Sequence, residues 1–109
     1  MPHIIVKGAS EAHVSEISEK LIKSISEMIK CPVDHFTVEY LPTVFYSNGV
    51  KDQGAYPFVN IQWFKRDQAA CEQVAKLFDT FFKEKKYPEN AVIFTDLVPE
   101  YYFENGEHF

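Results

Sequence analysis

Two stretches of this chain carry the same order of turn residues, strands and helix at an offset of 55 to 57 residues, and a duplicated unit of that kind admits few folds. Each opens with a proline and an apolar run, Pro2-His3-Ile4-Ile5-Val6 in the first and Pro57-Phe58-Val59-Asn60-Ile61 in the second. A long amphipathic segment follows, then a proline (Pro32, Pro88), then a strand-like run ending near a leucine (Leu41, Leu97) and a further proline (Pro42, Pro99). Both reach aromatic residues and Asn-Gly, as Phe45-Tyr46-Ser47-Asn48-Gly49 and Tyr102-Phe103-Glu104-Asn105-Gly106. The pseudo-repeats occupy about 1–54 and 55–109 of a single 109-residue domain, a length that suits one core.

Local patterns fill in the elements. Ile4-Ile5-Val6 is a continuous β-branched run, which predicts a strand over 3–7 buried on both faces. Ser10 suits a helix N-cap, and along 11–30 the residues Val14, Ile17, Leu21, Ile25 and Met28 recur at helical steps. Glu16/Lys20 and Glu19/Lys23 pair on the opposite face. After Pro32, Phe36, Val38 and Tyr40 alternate with Thr37 and Glu39 as in a half-buried strand. Asn48-Gly49 and Gly54 make 47–56 a polar turn or loop, and Phe58 to Phe64 alternates as a strand. Asp67 caps a second helix with the stripe Ala70, Val74, Leu77, Phe78, Phe81 and Phe82, closed by Lys83, Lys85 and Lys86. Ala91 to Thr95 is a strand, and Tyr101 to Phe103 with Glu107 to Phe109 form a terminal hairpin around Asn105-Gly106.

A helix joining two strands of one sheet demands a parallel, right-handed crossover. The expected fold is therefore α+β: duplicated βαβ units forming a four-stranded mixed sheet with two helices on one face. Nothing in so short a chain remains to cover the other face, so an oligomer whose sheets face one another is the natural solution. A ferredoxin-like βαββαβ dimer shares the element order and is the competing arrangement.

Composition narrows the partners. A net charge of -5, a single arginine and scattered lysines repel phosphate backbones, which argues against nucleic acid. No apolar run approaches the ~18 residues that span a bilayer, and no secretory signal opens the chain, so no membrane is expected and the location is cytoplasmic. Cys31 and Cys71 read as reduced, mostly buried thiols. His3, His13, His35 and His108 lack the spacing that sets two ligands on one face, so neither a metal nor another cofactor is implied.

Three stretches then point to a family. Pro2 follows the initiator methionine at the head of the first strand, Lys30-Cys31-Pro32 runs into Phe36-Thr37-Val38, and the chain closes with Tyr101-Tyr102-Phe103 through Gly106-Glu107-His108-Phe109. A duplicated βαβ unit with these features resembles the tautomerase superfamily, and its closing segment resembles a bacterial branch of that group. The resemblance implies a homotrimer with a pocket at the end of the first strand. There Pro2, freed by removal of Met1, acts as general base or acid in tautomerisation of a small enolisable 2-oxo acid or unsaturated carbonyl compound. A terminal proline suits that work because its nitrogen is a rigid secondary amine, and a free α-amino group starts near pKa ~8 before burial or a nearby cation lowers it. Pro57, in the matching place, has no free nitrogen and is structural.

Lys30 matches a lysine of the superfamily and would hold a substrate carboxylate or the developing enolate; alternatively it is a cation at the negative end of a helix. Arg66, the lone guanidinium, suits a bidentate clamp on an anion, or an ordinary surface or interface ion pair. Tyr101 and Tyr102 supply pocket walls or a subunit interface, and Glu39 is a second acid-base candidate. The chain also departs from the superfamily's patterns. Thr37 stands where one member has an arginine, Ser10 and Glu11 stand at a second such position, and Ile93 and Thr95 replace a tyrosine and an asparagine. These departures support a second reading, a trimeric binding or interaction module without chemistry.

Overall fold

The computed structural model describes residues 1–109 throughout. In chain order it builds β1 (His3–Lys7), a long helix, β2 (Thr37–Tyr40), and a short hairpin of β3 (Tyr46–Ser47) and β4 (Val50–Lys51). β5 (Phe58–Phe64), a second helix, β6 (Ala91–Leu97), and a terminal hairpin of β7 (Phe103–Glu104) and β8 (Glu107–His108) follow. The first helix has three parts, α1 (Glu11–Glu16), a π-helical turn over Ile17–Leu21, and α2 (Ile22–Ile29), whereas the second is the unbroken α3 (Gln68–Glu84).

β1 and β2 are parallel, with His3 opposite Thr37, as are β5 and β6, with Phe58 opposite Ala91. The two units join along antiparallel β1 and β5, where His3 faces Gln62 and Lys7 faces Phe58, so the sheet order is β2-β1-β5-β6. The duplication is visible in single hydrogen bonds: the Pro2 carbonyl accepts from the Thr37 N–H at 3.0 Å, and the Pro57 carbonyl accepts from the Ala91 N–H at 2.9 Å.

Strand alternation assigns the faces. Ile4 and Val6 of β1 are buried beside Val59, Ile61 and Trp63 of β5, while His3, Ile5, Lys7, Phe58, Asn60, Gln62 and Phe64 take the opposite side. The buried set joins Val14, Ile17, Ile25 and Ile29 of the first helix and Val74, Phe78, Phe81 and Phe82 of α3 in one cluster. Both helices therefore lie on one sheet face. Ile5 is only half-buried because no element of its own chain lies over it, which limits the expectation of a strand covered on both sides.

The first helix departs from its sequence stripe. Met28 is 37% exposed, whereas Ile22 and Ile29 are buried. The stripe holds through Ile25, past a π turn that adds a residue to the helical path, and fails only at Met28, where Ile29 packs inward instead. Glu16 does not pair with Lys20 in its own helix; its carboxylate accepts from the Lys85 ammonium at 2.9 Å, tying the first helix to the end of α3. That hydrogen bond holds the Glu16 carboxyl below its ordinary range.

Helix ends follow the sequence. Asp67 Oδ1 accepts from the Ala70 N–H at 2.9 Å, Ser10 Oγ accepts from the His13 N–H, and Lys30 ends α2 in the left-handed region at φ 55°. Residues 47–56 are more ordered than a loop. Asn48 and Gly49 both have positive φ, 50° and 77°, as do Asn105 and Gly106, which is the backbone of a tight type I′ hairpin in each repeat. The second sheet face is also not bare. At one end the tail folds back, so that Tyr102 and Phe109 pack on Phe64 with ring centroids 5.4 and 5.3 Å away. No helix is long and apolar enough to cross a membrane.

Candidate active site

The topology gathers the candidate residues at one end of the sheet. β1 begins there with Pro2; β5, running the other way, ends there and delivers Lys65 and Arg66. The first helix returns to the same end, because it must reach the start of β2, and so brings Ile29 and Lys30 alongside. α3 starts from that edge.

Lys30, Lys65 and Arg66 consequently line one cavity of about 460 Å³, together with Met28, Asp67 and the first turn of α3. Three cations around one hollow in a chain of net charge -5 is a strong local departure from its average field. The helix N-terminus adds its partial positive charge. Asp67 offsets part of it, although its carboxylate is engaged by the Ala70 N–H.

Arg66 is held from two sides. One terminal nitrogen donates to the Ile29 carbonyl at 3.3 Å, capping the first helix, and the guanidinium carbon lies 5.5 Å from the centre of the Trp63 ring. The Arg66 Nε–H is left with no protein partner. Lys30 caps its helix in the left-handed conformation with an exposed side chain.

Pro2 itself is buried, its ring on the helix side of the sheet and its carbonyl committed to Thr37. In the full chain its nitrogen is the amide joined to Met1, so amine chemistry there requires loss of Met1.

On the opposite side of the same sheet end, Tyr102 meets two residues. His3 Nε2 and the Tyr102 hydroxyl are 2.6 Å apart, and His3 Nδ1 and Thr37 Oγ1 are also 2.6 Å apart. The imidazole and phenol planes are 16° from parallel at 5.7 Å. Burial pushes the Tyr102 hydroxyl above its ordinary range, and the neighbouring Glu104 carboxylate adds to that. Tyr101 stands apart at 84% exposure on the short turn Pro99–Tyr101. Ile93 lies half-exposed on the open face, and Thr95 accepts a hydrogen bond from the Asn60 amide at 3.0 Å.

The sequence offered Lys30 or Arg66 as an anchor for a carboxylate, but it did not single out Lys65 or the contacts of His3 with Thr37 and Tyr102. Lys65 is adjacent to Arg66 and carried a signal in that adjacency. The His3 to Tyr102 contact spans 99 residues and left none in any local pattern.

Comparison with known proteins places this geometry. Residues 1–108 match a family described as a domain of unknown function, DUF1904. The crystal structure of a DUF1904 domain from Sebaldella termitidis is 35% identical, covers 100% of both chains and superposes with a TM-score of 0.93. A macrophage migration inhibitory factor-like protein from Entamoeba histolytica shares the fold at 19% identity, with a TM-score of 0.73 over 99% of this chain and 98% of that one. A fused 4-OT described as an asymmetric trimer does so at 15% identity, with a TM-score of 0.79 over 97% and 94%. No curated protein matches. The fold is thus that of the macrophage migration inhibitory factor and 4-OT proteins, with two helices on a four-stranded mixed sheet.

Proposed function

We propose that this chain, which belongs to the DUF1904 family, is a tautomerase of a small enolisable 2-oxo acid, with Pro2 as the proton-transferring base. The observation that carries the reading is the cavity of Lys30, Lys65 and Arg66 at the end of the sheet where Pro2 begins β1. A 2-oxo acid brings a permanent negative charge and an adjacent acidic C–H. The cations that line the cavity hold the carboxylate. With Met1 removed, the Pro2 nitrogen takes the proton from the carbon next to the carbonyl and returns it to the oxygen. A base positioned in this way contributes about 10² to 10⁴ in rate.

The chain acts as one domain over residues 1–109 and assembles as a homotrimer. Two features support this assembly: the fused 4-OT of the same fold is described as a trimer, and the open sheet face carries Ile5, half-buried, and Ile93, half-exposed. The test is proton-deuterium exchange at the pyruvate methyl group, followed by NMR with protein that begins at Pro2. Exchange faster than buffer, saturable in pyruvate, with a KM raised in Lys65→Gln and Arg66→Gln, is the expected result. Exchange indifferent to all three changes, Pro2→Ala included, contradicts it.

A second reading is favoured by the buried Pro2 ring and by the engagement of Arg66 with Ile29: a trimeric module that binds a small carboxylate without turnover. Saturable pyruvate binding with no exchange above buffer selects that reading.

A further inference from the structure

We propose that the cavity of Lys30, Lys65 and Arg66 binds a phosphoryl dianion, so that inorganic phosphate or a phosphate monoester competes there with the substrate carboxylate. The inference rests on the reading of this cavity as the seat of the substrate's anionic group, and adds an anion that regulates it.

Charge balance is the first argument. The nine residues that line the cavity include three cations and a single carboxylate, Asp67. A 2-oxo acid with one negative charge leaves one of the two surplus positive charges unmatched, whereas a dianion matches both. The cations do not find partners elsewhere in the chain, whose ion pairs are Lys83 with Asp79 and Lys85 with Glu16. With 16 acidic side chains set against 11 Lys and Arg, three unpaired cations around one hollow form a field that attracts multiply charged anions first.

Hydrogen-bond supply is the second argument. A phosphoryl group carries about 1.5–2 negative charges near neutral pH and offers three strong acceptor oxygens. Arg66 is fixed before any ligand arrives, by the Ile29 carbonyl at 3.3 Å and the Trp63 ring at 5.5 Å. Only one of its terminal nitrogens is used in that bond, and the other makes none within the chain. A guanidinium held in this way donates to an anion at little further cost in side-chain freedom. Lys30 and Lys65, both exposed, add point charges that can follow the ligand. The first turn of α3 completes the set. Asp67 serves the Ala70 N–H through its side chain and the Cys71 N–H through its carbonyl, which leaves the Gln68 and Ala69 N–H groups without an acceptor in the chain. Ala69 lines the cavity.

The test titrates full-length protein with inorganic phosphate, glycerol phosphate and acetate by calorimetry at matched ionic strength. Phosphate is expected to bind about tenfold or more tightly than acetate, the worth of one further hydrogen bond to a charged group. Lys65→Gln and Arg66→Gln are each expected to lose about that factor, and Lys83→Gln, which changes a cation outside the cavity, to lose none. Because Pro2 takes no part in this binding, protein that retains Met1 is expected to bind phosphate as well as protein that begins at Pro2. Phosphate is also expected to raise KM for pyruvate methyl exchange with kcat unchanged, as a competitor does. An ester that binds more tightly than the free ion assigns the site to a phosphorylated molecule, and the reverse order assigns it to phosphate itself. Equal affinities for phosphate and acetate, or a phosphate affinity indifferent to both cavity substitutions, overturn the inference and leave the tautomerase reading intact. Phosphate binding that leaves KM unmoved overturns the competition. Absence of exchange in the wild type defeats the tautomerase reading, while the calorimetry still decides this one.

Discussion

Replacing Gly8 with alanine tests how closely the two repeats are joined. Gly8 follows β1 at φ 80°, and a Cβ there would stand 2.0 Å from the Tyr56 carbonyl oxygen and 2.8 Å from its carbon. Tyr56 leads into Pro57 and β5, and its ring stacks on Phe58 at 4.5 Å, so the obstacle is main chain that has little room to retreat. Two costs combine in Gly8→Ala. A side chain in the left-handed region costs about 1–2 kcal/mol, and forcing extra volume into packed structure adds about 1–3 kcal/mol. Gly106→Ala isolates the first, because Gly106 has φ 85° and a methyl group there would meet nothing within 4 Å. The difference between the variants is the close approach alone, about 1–3 kcal/mol. For a domain of this size that separates their midpoints by roughly 4–24 °C, at about 4–8 °C per kcal/mol. Urea and thermal unfolding, followed by the fluorescence of Trp63 at one fixed protomer concentration, read both numbers. Equal destabilisation of the two variants refutes the reasoning.

Three further outcomes follow from particular contacts. Phe78→Ala empties a site with no solvent exposure in the shared core and is expected to cost about 3–5 kcal/mol in denaturant titration; a loss under about 1 kcal/mol contradicts the packing described. The Glu16 carboxyl lies below the ordinary glutamate range when folded, so its contribution is fully present above that range and is lost as pH falls through the folded value; Glu16→Gln is expected to flatten the acid limb of the stability profile, and an unchanged limb counts against the Lys85 contact. Because burial raises the Tyr102 hydroxyl above the ordinary phenol range, one tyrosine is expected to ionise after the rest in an ultraviolet titration, and Tyr102→Phe should remove that late step and no other.

Much of the fold is legible in the sequence because it is written locally. Alternation along Phe58 to Phe64, the Asp67 cap and the Asn-Gly pairs each depend on residues within a few positions of one another. The stripe of the first helix is legible through Ile25, which is buried as expected, and only its last member gives way, Ile29 packing inward in place of Met28. The Asn48-Gly49 pair marks the first hairpin's turn, but its strands are only two residues each, Tyr46–Ser47 and Val50–Lys51, too short for alternation to show. At the candidate site, Pro2 and Lys30 stand out by position. Arg66 is visible as a charge, but its bond to Ile29 and its place on Trp63 depend on how the first helix ends against β5. The Thr37, His3 and Tyr102 series joins β2, β1 and the tail, which no periodicity connects.

The most direct test of the account compares two forms of one protein, one beginning at Pro2 and one retaining Met1, in pyruvate methyl exchange at equal concentration. Both forms keep the sheet and the cation cavity, and they differ only in whether the Pro2 nitrogen is an amine or an amide. The account predicts exchange above buffer in the form that begins at Pro2 and buffer-level exchange in the other. Equal rates in the two forms would contradict it, because the proton would then be moving without the prolyl amine.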